Sequence, residues 1–213
     1  MLNLIYKEFK IAVSPNILIF AFFGAMIIIP SYPTLAGFIY VTMAFPILFP
    51  IASENKDNYF TALLPVKKRD AVKARFLTVI IIQLFSLLFA IPFVFIYKHM
   101  YSTGNFTPVG IEANLAMYGS VFLVYGVENI FFFPMHYKTG RKLLFPIISC
   151  LSSSILFIAI IEGLTIAPLG INEMINQSIG LRVIIFVIGL ILYSLLTYVS
   201  YIVSAKRFER VDL

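Results

Sequence analysis

Charge is scarce in this chain. Asp, Glu, Lys and Arg supply 12% of its 213 residues, whereas hydrophobic residues supply 61%. A soluble domain carries about 25% charged residues, so a water-surrounded globule is excluded. The composition fits a polytopic membrane protein, because helices facing hydrocarbon cannot carry charge cheaply. Cysteine is almost missing. Cys150 stands alone inside an apolar run, which excludes an intramolecular disulfide and a cysteine-based metal site. Histidine is limited to His99 and His136, and neither has a serine nucleophile within plausible reach. The patterns HExxH, GxSxG and GxxxxGK[ST] do not occur. No catalytic residue, no metal site and no P-loop for ATP are therefore expected in this chain. The net charge is +6, but the basic residues border apolar runs, which makes nucleic acid a poor partner.

The chain does hold long apolar runs. Six of them cover residues 16–30, 34–53, 76–97, 113–135, 143–164 and 179–205. Each is near the length needed for a hydrocarbon core of about 30 Å. The run at 17–30 follows Lys7 and Lys10, like a secretory signal, but a mixed stretch precedes it and no small-x-small site closes it. It reads as a retained first span. The tight turn Pro30-Ser31-Tyr32-Pro33 makes a hairpin of the first two spans. Residues 1–13 place Leu2, Ile5, Tyr6, Phe9 and Val13 at helical spacing, with Asn3, Lys7 and Lys10 between them. That pattern predicts an amphipathic helix lying in the membrane interface. A plain extension of the first span is the alternative.

Orientation follows from the basic residues. Of the 16 Lys and Arg, only Lys98 and Arg182 fall on one side of the six-span arrangement, leaving 14 on the other. The positive-inside rule then puts both termini in the cytoplasm. The outer segments are 98–112 and 165–178, the only places for small external structures. The expected fold is all-α: one transmembrane domain over 1–213, with six transmembrane helices, an N-terminal interfacial helix and a cytoplasmic loop at 54–75.

That loop is the main stretch able to meet a partner in water. Within it Asn58 to Leu64 is apolar enough for a short helix, ended by Pro65, which fixes its own backbone and drives Leu64 out of helical geometry. Such a helix, parallel to the membrane, presents Tyr59, Phe60, Leu63 and Leu64. Read without any relatives, Lys67, Lys68 and Arg69 serve equally well as topology determinants, and Tyr59 and Phe60 as interfacial aromatics.

The run Leu64-Pro65-Val66-Lys67-Lys68-Arg69-Asp70-Ala71-Val72, followed by Arg75 and Phe76, resembles the loop between the second and third spans of ABC-2-type permeases. Lys67 departs from the pattern, standing where a Ser or Thr caps the helix; a lysine cannot accept the capping hydrogen bond. Asp70 still complements the helix dipole. A weaker match is Phe133-Pro134-Met135-His136-Tyr137-Lys138-Thr139-Gly140-Arg141-Lys142, similar to a short cytoplasmic turn of that family. The chain looks most like small permeases that export amphipathic peptides or bacteriocins, the phenol-soluble-modulin exporters among them. The resemblance implies a cell-membrane permease that pairs with itself or a related permease. It implies cytoplasmic P-loop ATPase subunits that hold ATP and Mg. It also implies docking of the ATPase on Tyr59, Phe60, Leu63, Leu64, Pro65, Lys68 and Arg69.

Glu128, Asn129 and Glu162 lie within expected spans, where a charge is expensive and often functional. Glu162 stands near the outer end of its span and is expected to reach interfacial water. Glu128 is deeper and needs a partner or a polar cavity; Asn129 and His136 are its nearest candidates along the chain. Ser149, Ser152, Ser153 and Ser154 suit close helix packing, or the lining of a path. The expected activity is export of an amphipathic or apolar substrate. A small ion-coupled carrier working through Glu128 and a non-transporting scaffold or immunity protein are the alternatives.

Overall fold

A computed structural model of the chain describes residues 2–11, 13, 19–20, 22–29, 32–43, 48–49, 67–102, 109–139 and 143–210. Every regular element among them is helical. They are α1 (Leu2–Ile11), a 3₁₀ helix (Phe22–Ile28), α2 (Ala36–Thr42), α3 (Lys68–Ser102), α4 (Leu115–Thr139), α5 (Leu144–Ile166), α6 (Ile171–Gln177) and α7 (Ile179–Glu209).

Four of these, α3, α4, α5 and α7, are long and apolar enough to cross a membrane. They correspond to the last four expected spans. At about 1.5 Å per residue the 35 residues of α3 span roughly 52 Å, so α3 outruns the hydrocarbon. Asp70 in its first turn offsets the helix dipole. Lys67 caps through its backbone only: its carbonyl accepts from the Asp70 N–H at 2.9 Å. The first two expected spans are described in part, as the 3₁₀ helix and α2. Neither is seen as a continuous spanning helix among the described residues. The expected outer segment at 165–178 contains α6, which follows Gly170 in the left-handed region at φ 69°.

The helices alternate in direction, so α3 starts where α4 ends and α7 ends. Arg69 near the start of α3 bonds Glu209 at the end of α7, and Arg207 donates to the Pro134 carbonyl of α4. The described basic residues of α3's first turns, Lys138, Lys206 and Arg207 therefore share one end of the bundle. Lys98 and Arg182 lie at the other.

Helix α4 is the centre. In its membrane-crossing window 72% of residues are buried, against 11% for α7. A helix buried all round must meet its neighbours closely, and α4 meets α7 most extensively. Gly119 and Gly189 make this possible. A Cβ at Gly119 would overlap the backbone of Ile185 and Phe186, and one at Gly189 would overlap the backbone of Gly119. Small residues at such crossings let backbones touch and gain dispersion contacts. One apolar core, around Phe38, Leu87, Met117 and Tyr125, joins α2, α3 and α4. A second, at the basic end, is aromatic: Phe76 stacks on Phe133 with ring centroids 3.8 Å apart, and Phe49 lies against Phe132 at 4.7 Å.

The apolar stripe of α1 is only partly buried. Glu8 is the buried residue, whereas Leu2 and Tyr6 are exposed. The stripe and Glu8 lie on different faces of the helix: Ile5, Phe9 and Val13 are half-buried, Val13 against the aromatic core, while Glu8 meets α3.

Enlarging Gly119 tests the α4–α7 crossing. Gly119→Val is expected to cost about 1–3 kcal/mol or more through overpacking, read as a lower melting temperature of the purified protein in detergent. Gly163→Ala, where an added Cβ meets nothing within 4 Å, is expected to leave that temperature unchanged or slightly raised.

Candidate functional site

Three sets of polar groups stand out, one at each end of the bundle and one across its middle.

At the basic end, Arg75 sits two turns into α3 and is buried. Its Nε lies 2.5 Å from Glu8 Oε2 on α1, and its guanidinium carbon is 5.4 Å from the centre of the Phe49 ring. The other oxygen of Glu8 is 3.0 Å from Lys7 Nζ. Arg75 therefore ties together α1, α3 and the segment carrying Phe49. Removing one partner of such a buried pair strands the other charge, at about 3–5 kcal/mol. A planar guanidinium suits the place, because it can pair with a carboxylate in its plane and lie on a ring with its face. Arg69, one and a half turns earlier, makes a two-pronged contact with Glu209: Nε to Oε1 at 2.6 Å and Nη2 to Oε2 at 3.2 Å. That pair is exposed, so solvent screening leaves it a tether of small energy.

Across the middle, Glu128 and Asn129 of α4 are fully buried. Thr42 of α2 donates its hydroxyl to Glu128 Oε1. The Ser154 hydroxyl of α5 sits 3.1 Å from the same oxygen and 2.9 Å from the Cys150 carbonyl, sharing its one proton between them. Glu128 Oε2 has no hydrogen-bond partner among the described residues. Asn129 turns the other way and exchanges amide hydrogen bonds with Gln83 of α3, at 3.1 and 3.2 Å. Its amide also donates to Thr197 Oγ1 of α7 at 3.0 Å. Tyr193 donates to Gln83 Oε1 at 3.1 Å, and Ser200 donates to the Asn129 carbonyl at 2.6 Å. One belt thus reaches α2, α3, α4, α5 and α7. No group of three or more His, Cys, Asp or Glu able to hold a metal occurs among the described residues. The chemistry available is hydrogen bonding and one carboxyl group.

At the far end, Glu162 corrects the expectation. Instead of reaching interfacial water it is buried, and its carboxylate accepts two backbone N–H groups, from Leu35 at 2.8 Å and Ile111 at 3.0 Å. Gly110, at φ 78°, passes so close to this carboxylate that a Cβ there would overlap it. Glu162 fastens α5 to the start of α2 and to the segment leading into α4. Next to it, Asn114 donates to Asn176 at 2.9 Å, joining α6 to the same end. Burial pushes the Glu112 carboxyl above the usual range, and the nearby Arg182, Asn176 and Lys98 act against that rise.

The residues expected to dock a partner divide in two. Tyr59, Phe60, Leu63, Leu64 and Pro65 lie outside the described residues. Lys68 and Arg69 form the first turn of α3, at the end where that segment joins it. Of Glu128's expected neighbours, Asn129 is engaged with Gln83 and Thr197. His136 packs in the aromatic core, its ring 4.5 Å from Phe49 and 5.8 Å from Phe132. Of the four serines, Ser154 reaches Glu128, whereas Ser153 bonds back to its own helix at 2.8 Å. Sequence reasoning did not single out Glu8, Gln83, Thr42 or Thr197. A signal existed for Gln83, the one amide in its apolar run.

The family model described as "ABC-2 family transporter protein" matches residues 3–209. No curated protein matches the chain, and no solved structure does.

The Glu8–Arg75 pair yields a reversible test. Glu8→Ala is expected to destabilise the protein by up to about 3–5 kcal/mol, because it takes the buried carboxylate away from the guanidinium. The exchange Glu8→Arg with Arg75→Glu is expected to recover part of that loss in the same thermal assay. No recovery would mean that the surroundings, rather than the pair, set the cost.

Proposed function

The chain belongs to the ABC-2 family of transporter proteins, and on that premise we propose that it is the permease subunit of an ATP-driven exporter. Cytoplasmic P-loop ATPase subunits bind the ATP and Mg, and the chain itself carries no catalytic group. It works beside a second permease, identical or related, and moves an amphipathic peptide or another apolar substrate out of the cell. Both termini and the basic end of the bundle face the cytoplasm. The observation that carries the reading is the joint at that end. The segment at 54–67 leads directly into α3, and within two turns Arg75 links α3 to α1 and Phe49. A push on that segment by an ATPase would be handed to three elements at once.

Coexpression with a candidate ATPase tests docking. Phe60→Asp with Leu63→Asp is expected to release the ATPase from the purified permease while leaving its melting temperature within the wild-type range. ATPase recovery at wild-type yield would refute docking through this segment.

The carrier reading draws on one feature, the oxygen of the buried Glu128 that has no hydrogen-bond partner among the described residues. A carboxylate in the bilayer marks an ion path in many carriers. In the exporter, Glu128 instead holds α2 and α5 to α4 and acts in gating. Glu128→Gln keeps an acceptor for Thr42 and Ser154. It is expected to retain assembly and to lower substrate-stimulated ATP hydrolysis several-fold. Glu128→Leu removes the acceptor and is expected to abolish export. A wild-type export rate in the Leu variant would exclude any role for this side chain. Transport that follows an imposed proton gradient without ATP would favour the carrier.

A further inference from the structure

A groove of about 360 Å³ runs along the outside of the bundle between α3 and α7. Phe76, Leu77 and Ile80 form one wall, and Tyr193, Thr197 and Tyr201 the other. Three of its polar side chains are already engaged. Tyr193 donates inward to Gln83, Thr197 accepts from Asn129, and Ser194 donates to the Leu190 carbonyl of its own helix at 2.8 Å. A peptide backbone offers a donor and an acceptor at nearly every residue, and beyond Lys73 the described lining keeps only the Tyr198 and Tyr201 hydroxyls to meet it. A hydrocarbon chain has no such need.

Charge enters at one end only. Among the described residues Lys73 is the sole charged one lining the groove, and its side chain is exposed. Arg69 lies one turn earlier on the same face of α3, at the bundle end that also carries Lys206 and Arg207. From Lys73 to Ile80 the trough runs about 10 Å at roughly 1.5 Å per residue. The occupant is thus an apolar chain with an anionic head, the head beside Lys73 and the chain directed toward the bundle middle. Basic pockets between membrane helices on the cytoplasmic side bind anionic head groups in this way.

We infer that the α3–α7 groove is a binding site for an anionic phospholipid, its phosphate on Lys73 and an acyl chain along Phe76, Ile80 and Tyr193. The site does not depend on what the protein transports or on what powers it, so it stands or falls separately from the exporter reading.

The chain holds no tryptophan, which permits a clean optical test. The full-length protein carrying Leu77→Trp is placed in phosphatidylcholine vesicles containing either phosphatidylglycerol or phosphatidylcholine with brominated acyl chains. Brominated phosphatidylglycerol is expected to quench the groove fluorophore at about fivefold lower mole fraction than brominated phosphatidylcholine, the selectivity of one basic residue near the surface. Adding Lys73→Gln is expected to abolish that preference, and Lys73→Arg to keep it. A reporter at Leu156→Trp, on the exposed face of α5, is expected to show no preference. Equal quenching by both lipids at the groove would overturn the proposal, as would a preference that survives Lys73→Gln. No quenching by either lipid would also overturn it, because a second copy or another protein would then cover the face. If Leu77→Trp fails to fold, native mass spectrometry of the unlabelled protein decides. Phosphatidylglycerol retained by the wild type and lost from Lys73→Gln supports the site; equal retention refutes it.

Discussion

The burial of α4 constrains everything around it. In hydrocarbon no water stands ready to satisfy a polar group, so a buried donor or acceptor is costly unless the protein meets it. Helix α4 carries Glu128 and Asn129 side by side at full burial. Successive residues on a helix point about 100° apart, so two neighbouring polar side chains cannot be served from one direction. Glu128 is met by α2 and α5, and Asn129 by α3 and α7. The adjacent polar pair thus calls for helices on several sides of α4. The glycine crossing at Gly119 and Gly189 meets the same demand, bringing α7 close enough for Thr197 and Ser200 to reach Asn129.

The three polar sets differ in strength, and the difference bears on motion. The Glu8–Arg75 pair is a buried charge contact, expensive to break. The Glu162 carboxylate holds two backbone N–H groups, the charge-assisted kind of hydrogen bond. The middle belt is mostly neutral side-chain bonds, and in membranes such bonds average about 0.6 kcal/mol. The bundle is therefore pinned at its ends and cheaper to rearrange at its centre. That is a useful distribution for a permease, whose path must open without the helices separating.

The long helices and the ends they share were legible in the sequence, because apolar length and the placement of Lys and Arg are direct consequences of the bilayer. So was the depth of Glu128. Its partners were not. Thr42 lies 86 residues away and Ser154 26, and no local pattern marks which hydroxyl on another helix will face a given carboxylate. Glu162 was misjudged for a related reason. Proximity to a span's end suggests water, but the backbone of Leu35 and Ile111 folds over that end and supplies the donors instead. Glu8 was overlooked because periodicity weighs the apolar stripe of α1. A single acid on a different face becomes informative only once Arg75 is seen opposite it.

Helix α4 packs most extensively on α7 and next on α5, while α3 meets the 3₁₀ helix, α7 and α1 in that order, leaving a seam between α3 and the α4–α7 pair. Bonds across the seam include Gln83–Asn129, Ser86–Tyr125 at 2.8 Å and the exposed Arg69–Glu209 pair. The apolar core also crosses it, through contacts such as Phe76 with Phe133. On the exporter reading, a force applied just before Lys68 would act first on α3, and its contacts with the 3₁₀ helix, α7 and α1 would share the displacement. The groove lined by Lys73 and Tyr193 lies along that seam on the outer surface. Any rotation of α3 against α7 changes its width. A chain lodged there would then favour one relative position of α3 and α7 by as much as it binds that position better, and the composition of the surrounding lipid would enter the energetics of any such movement.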